Sequence, residues 1–162
     1  MQPTQPTQIG PFGTGGGGDK TFETPQEMLD DDSYVTSVNV YFGDWIDAVV
    51  FTYYSRSKQR FVTTPPLGNP GGRSYAEKIF SVAGPDEFIN GVTGRADKRI
   101  NSIKFVTNKG NASEEYEGSI ERGGGKDYKS NVGDEEIIGV WGKHGEQLDT
   151  IGFYVRPHKT TP

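Results

Sequence analysis

The chain has 162 residues, enough for one domain with a substantial core and too few for two of ordinary size. Glycine (23), proline (10) and a 12% aromatic share, set against only 31% apolar residues, favour many short strands joined by tight turns over a helical bundle. The formal charge of −5 with interspersed signs offers no basic surface for nucleic acid, and the lack of cysteine excludes disulfides and thiolate metal sites.

In chain order, residues 1–9 alternate Pro, Thr and Gln, cannot bury anything, and read as a flexible tail. The domain is expected over 10–157, with a second tail at 158–162. The N-terminus lacks a basic region followed by an apolar stretch, and no apolar run approaches the ~20 residues needed to span a bilayer. No membrane insertion is therefore expected, and a cytoplasmic location is the expectation, with secretion left open.

Three Gly-rich stretches follow: GTGGGGDKTF ending at Phe22, NPGGRSY ending at Tyr75 and RGGGKDY ending at Tyr128. Their last glycines, Gly18, Gly72 and Gly125, are 54 and 53 residues apart, a repeat spacing. Between the first stretch and the first apolar segment, TPQEMLDDD has a Thr cap and a Pro in the first turn but no apolar stripe, so it reads as a turn or short loop. The Asp30-Asp31-Asp32 run within it lacks the ligand spacing of a calcium loop and reads as a solvated turn.

Each Gly-rich stretch precedes a hairpin-like segment, beginning at Ser37, Glu87 and Glu136. A shift of 48 residues overlays the second on the third without a gap, placing Ile89 on Ile137, Val92 on Val140, Ile103 on Ile151 and Phe105 on Phe153. A shift of 102 overlays the outgoing half of the first on the third, placing Gly43 on Gly145, Asp47 on Asp149 and Phe51 on Phe153. In the outgoing halves the large apolar residues recur at period two (Val49, Phe51, Tyr53; Ile103, Phe105; Ile151, Phe153, Val155), as strands with one buried face require. The chain thus reads as three copies of a Gly-rich stretch followed by a hairpin. Three such sheets can form the walls of a three-sided prism, with Phe51, Phe105 and Phe153 near its axis.

Two of the hairpin tips share a pattern: GDWID at residues 43–47 and GEQLD at 145–149. A loop that begins with Gly and ends with Asp exposes backbone N–H donors beside one carboxylate acceptor, the complement of vicinal sugar hydroxyls. Glycines in a second loop let another main chain approach and add donors. A site of this kind is weak, on the order of millimolar, and useful avidity comes from repeating it. The competing reading is an Asp that hydrogen-bonds its own turn. In the middle copy Asp97 replaces Gly145 and Asn101 replaces Asp149, while Lys98 and Arg99 replace Glu146 and Gln147, so the Asp is not required for the hairpin. His144 lies in the third tip and His158 in the terminal tail, and neither forms a recognisable site. Asn111-Ala-Ser113 fits an N-glycosylation sequon, a triplet common by chance and relevant only to a secreted protein.

With these residues assembled, the chain resembles the jacalin-related lectins, through IGPFGTGGGGDKTF, SVNVYFGDWIDAVVFTYY, PGGRSY, PDEFINGVTG, INSIKFVTNKG and IIGVWGKHGEQLDTIGFYVRP. The resemblance implies an all-β fold, β-prism I, with three four-stranded Greek-key sheets in pseudo-threefold symmetry. It implies one carbohydrate site at Gly145, Glu146, Gln147 and Asp149 with Gly18 (or Gly17, if the GGGG run aligns one residue earlier). A second is implied at Gly43, Asp44, Trp45 and Asp47 with Gly72. Galactose-preferring members of the family carry the site glycine as a free N-terminus; here Gly18 lies inside an uninterrupted chain, as in the mannose- and glucose-binding branch. The expected partners are mannose- or glucose-containing glycans and glycoproteins, with a homodimer or higher homo-oligomer also in view. No cofactor or metal is implied. Two alternatives stay open: a non-catalytic β-prism interaction module, and a glycoside hydrolase using Asp44/Asp47 or Glu146/Asp149, which needs two carboxyls about 5 to 9.5 Å apart across a cleft.

Overall fold

A computed structural model describes residues 6–15, 17–70, 76–119 and 124–158. Its strands form three antiparallel sheets. The first contains β1 (Thr7–Phe12), β2 (Lys20–Glu23), β12 (Glu135–His144) and β13 (Leu148–Pro157), in the order β1-β13-β12-β2. The second contains β3 (Ser33–Phe42), β4 (Ile46–Ser55), β5 (Arg60–Thr63) and β7 (Ala76–Ser81), in the order β5-β4-β3-β7, with the short β6 (Leu67–Gly68) also on β4. The third contains β8 (Ile89–Ala96), β9 (Ile100–Thr107), β10 (Tyr116–Glu117) and β11 (Lys126–Asn131), in the order β10-β9-β8-β11. Because β5 and β6 follow one another along the same edge of β4, every sheet is four strands wide. This is the β-prism anticipated from the repeat.

The central hairpins superpose in register as well as in sequence. Val38 pairs with Phe51, Val92 with Phe105 and Val140 with Phe153, and all six side chains have no accessible surface. They belong to one apolar cluster shared by the three sheets. A sheet with one apolar face has to bury it, and three such faces turned inward cover one another; each fully buried Phe or Val contributes about 1.5–3 kcal/mol. Tyr53 spans two walls, donating its hydroxyl to the Ile138 carbonyl at 2.6 Å, and its complete burial pushes the phenol pKa up.

Three expectations need adjustment. The repeat unit in space is a hairpin followed by its two outer strands, not a Gly-rich stretch followed by a hairpin. A bare antiparallel hairpin has two open edges, and the connection after it delivers a strand to each. The first Gly-rich stretch, between β1 and β2, therefore serves the last hairpin, and the two ends of the chain close one sheet. Second, the first strand begins at Thr7, within the segment expected to be a tail, because Thr7, Gln8 and Ile9 pair with Val155, Tyr154 and Phe153. At the other end His158, expected in the second tail, stacks on Phe88 at 4.3 Å and contacts Glu136 at 2.9 Å. Third, the segment expected to be a turn or short loop contains a single 3-10 turn, Gln26–Leu29, with a buried apolar end. Leu29 is buried with Ile138 and Tyr154, so tertiary packing supplies the apolar contact that no stripe in the sequence announces.

Candidate functional site

The three hairpin tips lie at equivalent positions and close in the same way. Gly43 N–H donates to Trp45 O at 3.0 Å, Asp97 N–H to Arg99 O at 2.9 Å, and Gly145 N–H to Gln147 O at 3.0 Å. One residue in each outgoing strand is then skipped by the pairing. Tyr41 pairs with Ala48 but Phe42 with Ile46, Arg95 with Ser102 but Ala96 with Ile100, and Lys143 with Thr150 but His144 with Leu148. The residues left out are Asp47, Asn101 and Asp149. A bulge frees a residue from the pleat and re-aims its side chain, which is why the fifth residue of each tip leaves the alternation.

At the tip between β12 and β13, the bulge directs Asp149 toward the loop joining β1 to β2. Gly18 N–H donates to Asp149 Oδ2 at 2.7 Å, linking residues 131 positions apart. A Cβ on Gly18 would stand 2.2 Å from that oxygen and 2.5 Å from Gly145 N, so the approach depends on glycine. A Cβ on Gly17, the alternative, would meet nothing within 4 Å, which makes Gly18 the contacting residue. Gly18, Gly145 and Asp149 are thus gathered at one place. Glu146 is exposed at the tip, whereas Gln147 is buried. His144 turns back on its own tip, with Nδ1 2.9 Å from Gly145 O and its ring 5.9 Å from Phe22.

The tip between β3 and β4 is more enclosed. Asp47 has no accessible surface, and its carbonyl accepts from Asn69 N–H at 3.0 Å. Gly43 O accepts from Ser119 N–H at 2.9 Å, and Gly118 packs on the Asp44–Trp45 backbone so closely that a Cβ would lie 2.1 Å from Asp44 O. Trp45 is covered by the Arg99 guanidinium, 4.6 Å from its ring centroid. Gly72 lies outside the described residues, so its expected place beside Asp47 is not addressed by this geometry. The Gly118–Ser119 contact was not anticipated: nothing in the motif marks residues from another sheet as its support.

Among the described residues no group of three or more His, Cys, Asp or Glu could hold a metal ion. In the acidic run, Asp32 accepts from Ser55 Oγ at 2.8 Å, Ser57 Oγ at 2.7 Å and Ser57 N at 2.8 Å, which lowers its pKa and accounts for its place in the turn. The sequon asparagine, Asn111, donates its side-chain nitrogen to Glu87.

Comparison with known proteins follows the same lines. The family model described as "Jacalin-like lectin domain" matches residues 5–154. The chain belongs to this lectin family. Horcolin of Hordeum vulgare is 30% identical to the lectin domain over 158 residues, covering 95% of this chain and 99% of its own. Among solved structures, the artocarpin–mannotriose complex has a TM-score of 0.74 at 21% identity, covering 94% of this chain and 99% of artocarpin. Calystegia sepium agglutinin has a TM-score of 0.72 at 25% identity, covering 98% and 100%.

Beside the Gly18–Asp149 contact, the lectin domain carries a groove of about 780 Å³ along its outer face, lined by Phe22, Glu23, Trp141, Lys143 and Thr150 among others. The groove is not lined by Asp149 or Gly18 and so lies beside the tip rather than at it. A signal for the bulges was present in the sequence. Ile46 and Val49, Ile100 and Ile103, and Leu148 and Ile151 are buried pairs three residues apart, a change of parity that a regular strand cannot accommodate on one face.

Proposed function

We propose that the domain binds mannose- and glucose-type glycans through its two Gly-x-x-x-Asp tips, without a metal ion and without catalysing a reaction. The observation that carries this reading is the Gly18–Asp149 contact. Of the roughly four lone-pair sites on a carboxylate, one is engaged by a backbone N–H; the others can accept from adjacent sugar hydroxyls while loop N–H groups donate to the same oxygens. Gly18 is an amide within the chain, not a terminal ammonium, in keeping with the mannose- and glucose-binding branch that the sequence resembles. The crystallised complex of artocarpin with mannotriose, on the same fold, is consistent with that preference. A hydrolase reading has less support, since one oxygen of the Asp149 carboxylate is tied to a glycine amide.

Of the two tips, Gly145–Asp149 is the stronger candidate, because its Asp is joined to a Gly-rich loop through the Gly18 N–H. Titration calorimetry with methyl α-mannoside tests the proposal. The expected result is millimolar-range binding with up to two sites per chain, and the absence of any saturable heat at tens of millimolar overturns it. A glycan array that binds oligomannosides and not galactosides checks the specificity.

A further inference from the structure

The tip between β8 and β9 repeats the backbone of the other two but carries different chemistry. Asn101 occupies the bulge position of Asp149 and Asp47, and is 2% exposed. Among the described residues neither Oδ1 nor Nδ2 of its amide has a hydrogen-bond partner. A buried amide without partners is costly and rare in native proteins, so a tip that retains one implies something that completes it.

The described residues of the adjoining Gly-rich stretch do not supply that partner. A Cβ on Gly125 would lie 3.0 Å from Asn101 Oδ1, so the two segments touch as Gly18 and Asp149 do. Here, however, the glycine carbonyls are engaged elsewhere. Arg95 Nε donates to Gly124 O and Nη2 to Gly125 O, both at 3.1 Å, while Nη1 pairs with Asp127 at 2.8 Å. Gly124 and Gly125 are pinned by their acceptors, and among the described residues no N–H donates to Asn101.

Asn101 is also one of the residues around a cavity of about 190 Å³, with Trp45, Asp97, Lys98 and Arg99, its two amide atoms lying just beneath the cavity's surface. That volume corresponds to about six water molecules, the scale of one sugar ring rather than a chain of them. Its charged lining has two cations, Lys98 and Arg99, against one carboxylate, Asp97. The Arg99 guanidinium is already ordered by its contact with the Trp45 face.

We propose that this tip is a third site, selective for an acidic monosaccharide of the uronic-acid class. The sugar carboxylate pairs with Lys98 and Arg99. A ring hydroxyl, which both donates and accepts, satisfies the Asn101 amide, and Asp97 accepts from another hydroxyl. The site shares Trp45 with the Gly43–Asp47 tip and no residue with the Gly145–Asp149 tip, so it stands or falls independently of mannoside binding at the latter.

The test uses the full-length ¹⁵N-labelled chain titrated with methyl β-glucuronide, with methyl β-glucoside and methyl α-mannoside as controls. The Asn101 side-chain amide pair and the Arg99 backbone amide shift saturably with the glucuronide. Lys98→Ala, at an exposed position, weakens the response about tenfold, and raised salt weakens it in the wild type. Asn101→Leu removes the orphan amide, melts no lower than wild type and loses the glucuronide response. The proposal is overturned if these resonances do not move at tens of millimolar glucuronide, or if the uncharged glucoside moves them equally.

Discussion

Gly18 N–H and Asp149 Oδ2 lie 2.7 Å apart, and that single bond joins the Gly-rich connection of the first sheet to the bulged tip of the same sheet. Its two partners are open to opposite kinds of substitution. Asp149→Ala removes the acceptor, and Gly18→Ala drives a methyl group into the carboxylate oxygen and into Gly145 N, at 2.2 and 2.5 Å. Neither residue belongs to the prism core, so both variants are expected to fold. Each should weaken methyl α-mannoside binding at this tip by roughly tenfold to a hundredfold, the range of a lost charge-assisted hydrogen bond of about 1.5–3 kcal/mol. Calorimetry with unchanged near-ultraviolet circular dichroism is the check.

The two tips have different supports, Gly18 for Gly145–Asp149 and Gly118–Ser119 for Gly43–Asp47, which predicts unequal affinities. Asp47→Asn is expected to remove the weaker binding phase and leave the stronger one, whereas Asp149→Asn does the reverse. The double variant should be silent in solution. On a surface densely coated with oligomannose, where one chain can engage two glycans, either single variant should lose more apparent affinity than it does toward the monosaccharide, because avidity multiplies weak sites. Surface plasmon resonance at two ligand densities separates these cases; equal losses at both densities would show that the two tips do not act together.

How much of this was legible can be judged from the tips. Period-two apolar residues at Val49, Phe51 and Tyr53 and their counterparts identified the strands, since burial of one face leaves a direct imprint on composition. The 48- and 102-residue overlays aligned the same Phe residues that the pairing aligns. Gly145, Asp149 and Gly18 were also readable, because a close backbone approach excludes every side chain but glycine's hydrogen. The Gly118–Ser119 support of the GDWID tip was not, as it is made largely by main-chain groups, which any residue carries. For the same reason β1 extends back to Thr7 through a segment of Pro, Thr and Gln: an edge strand contributes hydrogen bonds to Val155 and its neighbours without needing apolar side chains. The 3-10 turn at Gln26–Leu29 depends on a pocket formed by Ile138 and Tyr154, more than a hundred residues away in sequence.

Arg156 is the main polar tie between the end of β13 and the segment before β3. Its Nε donates to Glu136 Oε1 at 2.8 Å and Nη2 to Ser33 O at 2.8 Å, while Nη1 reaches the carbonyls of Leu29 and Asp30. The residue is 6% exposed, as is Glu136. Arg156→Met leaves a buried carboxylate without its guanidinium and several carbonyls without a donor, so a loss of about 3–5 kcal/mol is expected. Urea unfolding should show a lower midpoint with an unchanged slope. Replacing Arg156 and Glu136 together with apolar residues of similar size should recover much of the loss, because the expense lies in the uncompensated charge rather than in the missing pair.

Glu87 makes the fold sensitive to acid. Its carboxylate accepts from Ala83 N–H and from Thr107 Oγ1, both at 2.8 Å, and from the Asn111 side chain, and it is buried. The Ala83 hydrogen bond is the largest influence and lowers the pKa; burial opposes it, and the Asn111 and Thr107 bonds reinforce it, leaving the group below its ordinary value of 4.5. A carboxyl whose folded pKa is depressed stabilises the fold fully above the unfolded value, and that contribution disappears as pH falls through the folded one. The melting temperature should therefore be insensitive to Glu87 between pH 7 and about pH 5 and decline below about pH 4.5. Glu87→Gln keeps the shape but loses the charge: it should melt lower than wild type at pH 7 and show a shallower decline in acid, so that the two curves converge once the pH has fallen below the folded pKa of Glu87. Parallel curves across the whole range would place the acid sensitivity in other carboxylates, with Asp32, also held below its ordinary value by Ser57 and Ser55, the next to replace.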